Sequence, residues 1–136
     1  MNAEPVNKYT GVTLSDWIKA CPNELDGDAV GLWQIIPTMR RGFGLSGSDL
    51  DQAVRDVLRA LLARGALPVV GSSSDGIGYW TYTPRYGKGA SAVVEAVIAE
   101  WRAMGRDPDV GDVWFALPHL HGPAASTEGN DGSGTS

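Results

Sequence analysis

The sequence predicts an α+β fold with a winged-helix-like order: three N-terminal helices, a β-hairpin, a further helix and a closing third strand in a small antiparallel sheet. Residues 48–64 carry apolar side chains at three- and four-residue steps, the spacing of one helix face. Residues 67–83 hold two short apolar or aromatic runs around a Gly/Ser-rich stretch, which is typical of a hairpin. A second helical pattern at 90–104 then precedes the apolar run VWFAL at 113–117.

The first of these helices is the centre of the predicted fold. Ser48 and Asp51 have the spacing of a capping box, which predicts that the helix begins there. Gly65 can adopt the left-handed conformation that ends a helix. Asp51 and Arg55 are four residues apart, so an ion pair along the helix surface is expected.

Two shorter helices are predicted before it, at 13–21 and 29–39. Both are expected to turn apolar side chains inward: Trp17, Ile18 and Ala20 in the first, and Val30, Trp33 and Ile36 or Pro37 in the second. Because a proline removes one helical hydrogen bond, Pro37 is expected to kink or to end the second helix. Pro68, near the start of the strand at 67–70, indicates an edge strand or a first strand position.

The chain is divided into three parts by its composition. Residues 1–12 are a polar N-terminal arm, residues 13–118 form one α+β domain, and residues 119–136, rich in Gly, Ser and Thr, are predicted to be a disordered tail.

A single cysteine, Cys21, excludes an intrachain disulfide and favours a reducing compartment. The start of the chain lacks a signal-peptide pattern, and no window has eighteen consecutive apolar residues. The prediction is a cytoplasmic protein that does not contact a membrane.

No stretch of the sequence indicates catalysis, a cofactor or a metal. Histidine occurs only as His119 and His121, so the folded domain lacks the commonest general base. The stretch GSSSDGIG lacks the Gly-Lys-Ser/Thr ending of a phosphate-binding loop. Two carboxylate clusters, at 24–28 and 107–112, fit turns and helix caps. A carboxylate enzyme would need a pocket that joins Asp26 or Asp28 to Arg40 or Arg41.

The element order also raises the alternative of a winged-helix nucleic-acid-binding regulator. In that hypothesis Gln52, Arg55 and Arg59 face nucleic acid. The net charge of -5 argues against a general polyanion binder, and the helix begins with acidic residues. Nucleic acid is therefore not the expected partner.

A binding surface is predicted around the aromatic run YWTYTPRY. Alternation along a strand places Trp80 and Tyr82 on one face and Tyr79 and Thr81 on the other. Since a two-layer domain buries one face, the other would expose aromatic surface, a composition enriched at binding hot spots. The predicted partner-binding residues are Trp80, Tyr82, Arg85, Tyr86, Asp26 and Asp28.

Three segments carry a resemblance to known proteins: LWQIIPTMRRGFGLSG (32–47), ALLARGALPVVG (60–71) and VIAEWRAMGRDPDVGDVWFALP (97–118). Through them, residues 14–118 resemble a group of small uncharacterised bacterial proteins. Some proteins of this size and acidity are immunity proteins, which neutralise a toxin domain, and the resemblance implies a similar role without assigning residues. The expected function is a non-enzymatic protein-binding module with a protein partner, such as a basic toxin domain. The oligomeric state is not predicted.

Overall fold

The computed structural model describes residues 4–72, 79–108 and 112–118, which contain four α-helices and one four-stranded sheet. The helices are α1 (Leu14–Ala20), α2 (Leu32–Pro37), α3 (Gly47–Ala63) and α4 (Ala90–Met104). The strands are β1 (Val30–Gly31), β2 (Leu67–Ser72), β3 (Tyr79–Tyr82) and β4 (Trp114–Ala116). The predicted α+β class and the antiparallel sheet are confirmed. None of the described helices is long and apolar enough to cross a bilayer.

The strands lie in the order β1-β4-β2-β3, and all neighbours are antiparallel. The closing strand β4 therefore enters the sheet between β1 and β2, where Phe115 pairs with Val30 on one side and Pro68 on the other. The short strand β1 falls where the sequence predicts a helix. Its extended conformation comes from pairing with β4, a contact of high sequence separation that leaves no local pattern.

Pro68 is the second residue of β2, near the start of the strand as predicted, but β2 is a central strand, so the alternative of an edge strand is wrong. In an antiparallel ladder the N–H and C=O of one residue point to the same neighbour. The carbonyl of Pro68 accepts a hydrogen bond from the N–H of Thr83, which follows the last residue of β3. The missing N–H of Pro68 thus falls at the end of the β2–β3 ladder, where a proline disturbs few of the hydrogen bonds between the strands.

Helix α3 begins at Gly47, after an N-cap Ser46 whose side chain makes no capping hydrogen bond. The predicted capping box of Ser48 and Asp51 is therefore wrong. Its apolar stripe is the centre of the helical core, as predicted, and the following side chains of the helix are buried: Leu50, Ala53, Val54, Val57, Leu58 and Leu61. They pack with Val94, Val97 and other residues of α4.

The predicted ion pair between Asp51 and Arg55 is also wrong, because α4 lies alongside α3 and supplies closer partners. Arg55 pairs with Glu95, with 2.9 Å between Nε and Oε2. Asp51 pairs with Arg102. The two residues, four positions apart in α3, thus form ion pairs with α4 instead of with each other.

The inward-facing residues predicted for the first two helices are confirmed in part: Val30 and Ile36 are buried, but Ala20 and Trp33 are not. Trp17 and Ile18 of α1 are half-buried against the core, whereas Ala20 is exposed. In α2 the buried side chains are Leu32, Ile35 and Ile36, so Trp33 points to the opposite side. Pro37 ends α2, and the chain continues in a π-helical turn over Thr38–Gly42.

Residues 4–12, within the predicted arm, lie against the domain. Val6 forms a β-bridge with Thr13, and the N–H of Lys8 donates to the carbonyl of Gly42. Asn7 is buried, and its Oδ1 accepts from the backbone N–H groups of Tyr9 and Thr10. The predicted disordered tail at 119–136 lies outside the described residues.

The segment after α4 is fixed to the π-helical turn through Asp107. Its carboxylate accepts hydrogen bonds from Arg40, with 2.7 Å between Nε and Oδ2, and from the indole N–H of Trp101 at 3.2 Å. The bonds from Arg40, supported by Trp101, hold the pKa of Asp107 below its usual range.

We expect Asp107→Asn to lower the free energy of unfolding at pH 7 by about 0.5–1 kcal/mol, a small loss because both partners are well exposed. A depressed carboxyl pKa stabilises the fold above the unfolded pKa, and this stabilisation disappears as the pH falls through the folded pKa. The difference between variant and wild type should therefore shrink towards pH 3. Urea unfolding at both pH values measures it, and Asp49→Asn, which removes a carboxylate without an ion pair to any described residue, is the control. A difference that stays constant with pH would refute the role given to Asp107.

Candidate partner-binding surface

One face of the sheet carries aromatic side chains and is turned away from the helical core. Val69 lies opposite both Tyr82 and Trp114, and Gly71 lies opposite Trp80. Directly paired residues share a face in an antiparallel sheet, so these side chains project from the same side. The alternate residues of β1 and β4, Val30 and Phe115, pack into the helical core instead. We call this outer surface the aromatic face and define it by Trp33, Leu67, Trp80, Tyr82 and Trp114.

Three tryptophans on the aromatic face form one row. The ring centroid of Trp114 lies 4.7 Å from that of Trp80 and 6.2 Å from that of Trp33. Both separations lie within the range of favourable aromatic pairs. The rings of Trp80 and Trp114 pack on a small buried cluster of Ala29, Val69 and Ala116, which is separate from the helical core. Two of the three rings therefore rest on buried side chains.

A substantial part of the aromatic face remains accessible in the described structure. Trp33 is 36% exposed and Leu67 is 38% exposed, both high values for large apolar residues. Trp80, Tyr82 and Trp114 are half-buried. Contiguous apolar surface of this kind marks interaction sites more often than isolated exposed residues do.

Gly31 allows the two indoles at the β1 end of the face to approach the backbone. A Cβ at this position would lie 2.7 Å from Cδ1 of Trp33 and 2.9 Å from Cδ2 of Trp114. Both distances are well below van der Waals contact. The arrangement of Trp33 and Trp114 thus depends on a residue without a side chain at position 31.

Two of the predicted partner-binding residues, Trp80 and Tyr82, lie together on the aromatic face, as alternation along the strand predicted. Two others, Arg85 and Tyr86, lie in the 3-10 turn after β3 and are held against α4. The hydroxyl of Tyr86 donates to Glu100 at 2.5 Å and accepts from Arg85 at 2.6 Å. Tyr86 is only 4% exposed, so its side chain offers a partner almost no surface. Burial and the bond to Glu100 raise the pKa of Tyr86 to about 12.

The remaining two, Asp26 and Asp28, have different surroundings. Asp26 pairs with Arg64 at the end of α3. Asp28 accepts a hydrogen bond at 2.7 Å from the backbone N–H of Ala29, the residue that enters the cluster beneath the aromatic face. Only Asp28 therefore lies next to the aromatic face.

A cavity of about 450 Å³ lies between α1, the 3-10 helix Cys21–Asp26 and α2. Its lining includes Trp17, Cys21, Glu24 and Asp28. Burial, with a contribution from Glu24, raises the pKa of the Cys21 thiol to about 12. The thiol is therefore protonated at neutral pH and has the properties of a structural side chain.

The side chains that the nucleic-acid hypothesis assigned to DNA are engaged within the protein. Arg55 pairs with Glu95 of α4, and Gln52 donates to Asp56 at 2.9 Å. Arg59 lies 4.0 Å from the same Asp56. Of these three side chains, Arg55 thus contacts α4, whereas Gln52 and Arg59 contact Asp56 of their own helix.

The pocket that a carboxylate enzyme would need is not formed among the described residues. Arg40 pairs with Asp107. Arg41 lines a separate pocket beside Tyr9, whereas Asp28 lines the cavity between α1 and α2. Neither arginine therefore shares a pocket with Asp28. Within residues 4–72, 79–108 and 112–118, no group of three His, Cys, Asp or Glu side chains is placed to hold a metal ion.

Comparisons with protein-family models, with curated proteins and with solved structures found no match for this chain. The resemblance to small bacterial proteins of immunity type therefore stays a prediction.

Sequence reasoning missed Trp33 and Trp114 as parts of the surface. Trp33 was predicted to point inward, and Trp114 was assigned only to the closing strand. The available signal was the two-residue period of a strand, which places Trp114 on the opposite face from Val113 and Phe115.

Proposed function

We propose that this protein is a non-enzymatic binding module for another protein, and that the aromatic face is its contact surface. The observation that carries the proposal is the row of three partly exposed tryptophans, Trp33, Trp114 and Trp80, two of which pack on a buried cluster. Tryptophan and tyrosine are enriched among the residues that dominate binding energy, because they supply a large contact area with few rotatable bonds.

The charge distribution supports a basic partner. The chain has a net charge of -5, and most of its arginines are already neutralised by carboxylates of the same molecule. The arginines with an ion pair among the described residues are Arg40, Arg55, Arg59, Arg64, Arg85, Arg102 and Arg106. An acidic module associates faster with a basic partner through long-range attraction. Within this proposal the protein is a cytoplasmic immunity protein and its partner is a basic toxin domain.

Capture of the partner from the native host tests the proposal. Trp33 and Leu67 are the most exposed large side chains of the aromatic face, so Trp33→Ser/Leu67→Ser removes contact area with little effect on the core. We expect the wild-type protein to retain a basic protein that this double variant loses by at least about tenfold, the scale of one hot-spot residue.

The matched control is Val6→Ser/Tyr9→Ser, which removes two exposed apolar side chains from the N-terminal segment. This variant should retain the partner. A wild-type protein that captures no protein, or equal capture by both double variants, would refute the proposal. A mobility-shift assay at low salt with DNA and RNA tests the winged-helix alternative on the same samples.

A further inference from the structure

We infer that the cavity between α1 and α2 receives an arginine side chain of the basic partner while the partner covers the aromatic face. This inference rests on the proposed function and names the chemistry of one contact within it. We call this cavity, lined by Trp17, Glu24, Asp28 and Gln34 among others, the acidic cavity.

The acidic cavity has the size and the position for such a contact. Its volume of about 450 Å³ exceeds that of a single side chain and leaves room for the partner's neighbouring atoms. Ala29 lines the cavity and also belongs to the buried cluster on which Trp80 and Trp114 pack. A partner that covers the aromatic face can therefore reach the cavity without leaving the surface of the protein.

The charges of the acidic cavity are not neutralised by the described part of the chain. Glu24 and Asp28 both line it and form no ion pair with any described residue. Among the described residues, no lysine or arginine contributes to its lining. Neighbouring Asp26, by contrast, is paired with Arg64. The cavity is therefore a local site of negative charge, which an incoming cation would complete.

The shape and chemistry of the lining favour a guanidinium group over an ammonium group. A guanidinium can bond to carboxylates through its planar fork and stack on an indole at the same time, and it is more weakly hydrated than an ammonium. The indole of Trp17 is held in place by an edge contact with Phe43, with 6.3 Å between the ring centroids. This ring and the two carboxylates line the same cavity, so little ordering of the ring is needed when the cation binds.

A small probe tests the cavity without knowledge of the partner. N-acetyl-arginine amide is titrated into ¹⁵N-labelled protein, and its uncharged counterpart N-acetyl-citrulline amide is titrated in parallel. We expect the arginine compound to shift the indole N–H signal of Trp17 and the amide signals of Glu24 and Asp28, and the citrulline compound to leave them unchanged. Equal shifts with both compounds, or shifts elsewhere only, would overturn the inference.

Charge-matched variants separate the cavity from the general acidity of the protein. Glu24→Gln/Asp28→Asn should weaken binding of the arginine compound at least about tenfold, as expected when the charged partners of a cation are removed. Asp16→Asn/Asp49→Asn makes the same change of net charge at exposed positions outside the cavity and should preserve binding. An equal loss in both variants would show non-specific attraction and would overturn the inference.

The captured partner then distinguishes this inference from the proposed function. If Trp33→Ser/Leu67→Ser loses the partner and Glu24→Gln/Asp28→Asn keeps its full affinity, the proposed function stands and the inference fails. If both variants lose at least about tenfold in affinity, both are supported. If the protein forms a dimer that Trp33→Ser/Leu67→Ser dissociates, a second copy covers the aromatic face, and both are overturned.

Discussion

Phe115→Ala is expected to lower the free energy of unfolding by about 3–5 kcal/mol, the range for removing a buried phenylalanine. Phe115 has no exposed surface and lies in β4, the strand between β1 and β2. It pairs with Val30 and Pro68 and packs into the helical core. The truncation therefore leaves a cavity where the sheet meets the helices. Urea unfolding followed by circular dichroism gives the free energy.

Tyr9→Ala is the control for this truncation, because it also removes an aromatic ring but at a position that is 72% exposed. Its effect should stay within about 0.5 kcal/mol, as for most surface substitutions. A loss for Phe115→Ala no larger than that for Tyr9→Ala would mean that β4 does not lie at the centre of the sheet.

Gly31→Ala is expected to disorder the tryptophan row and to lower the free energy of unfolding by about 1–3 kcal/mol, the usual cost of overpacking. The added methyl would meet Trp33 at 2.7 Å and Trp114 at 2.9 Å, so at least one indole must move. The near-ultraviolet circular dichroism of the tryptophans should change along with the stability.

Gly27→Ala provides a matched control for this substitution. The backbone at Gly27 has a φ of -108°, which suits any residue, and no heavy atom lies within 4 Å of an added Cβ. Its spectrum and stability should stay close to those of the wild type. If Gly31→Ala left both quantities unchanged as well, the close contact of Trp33 and Trp114 over β1 would be disproved.

The elements that the sequence predicted well are those with strong local signals. Helix α4 was predicted at 90–104 and spans Ala90–Met104, because its apolar spacing and the following glycine mark both its face and its end. The hairpin of β2 and β3 was predicted from two apolar runs flanking a Gly/Ser-rich stretch. In these segments local preference and tertiary structure agree.

The elements that the sequence missed depend on contacts between distant residues. Strand β1 has two residues, and their extended conformation follows from pairing with β4 more than eighty positions later. The place of β4 between β1 and β2 puts Pro68 in a central strand, which its residue type argues against. The partners of Asp51 and Arg55 were likewise decided by the packing of α4 on α3.

The candidate surface was predicted in part for the same reason. Alternation along one strand is local, so Trp80 and Tyr82 were correctly placed on one face. Trp33 and Trp114 come from two other elements and meet over Gly31 only after β1 pairs with β4. Tyr86 is of a residue type that is common at binding surfaces, but here it is buried and its hydroxyl donates to Glu100 of α4. Sequence composition alone does not separate these two cases.

The most direct test of the aromatic face as the working surface is the affinity of the captured partner for two double variants. Trp33→Ser/Leu67→Ser is expected to raise the dissociation constant at least about tenfold, a loss of about 1.4 kcal/mol or more. Val6→Ser/Tyr9→Ser, which removes two apolar side chains of higher fractional exposure elsewhere, is expected to leave it unchanged. Equal affinities for the two variants, or a larger loss from the second, would contradict the assignment of the aromatic face as the contact surface.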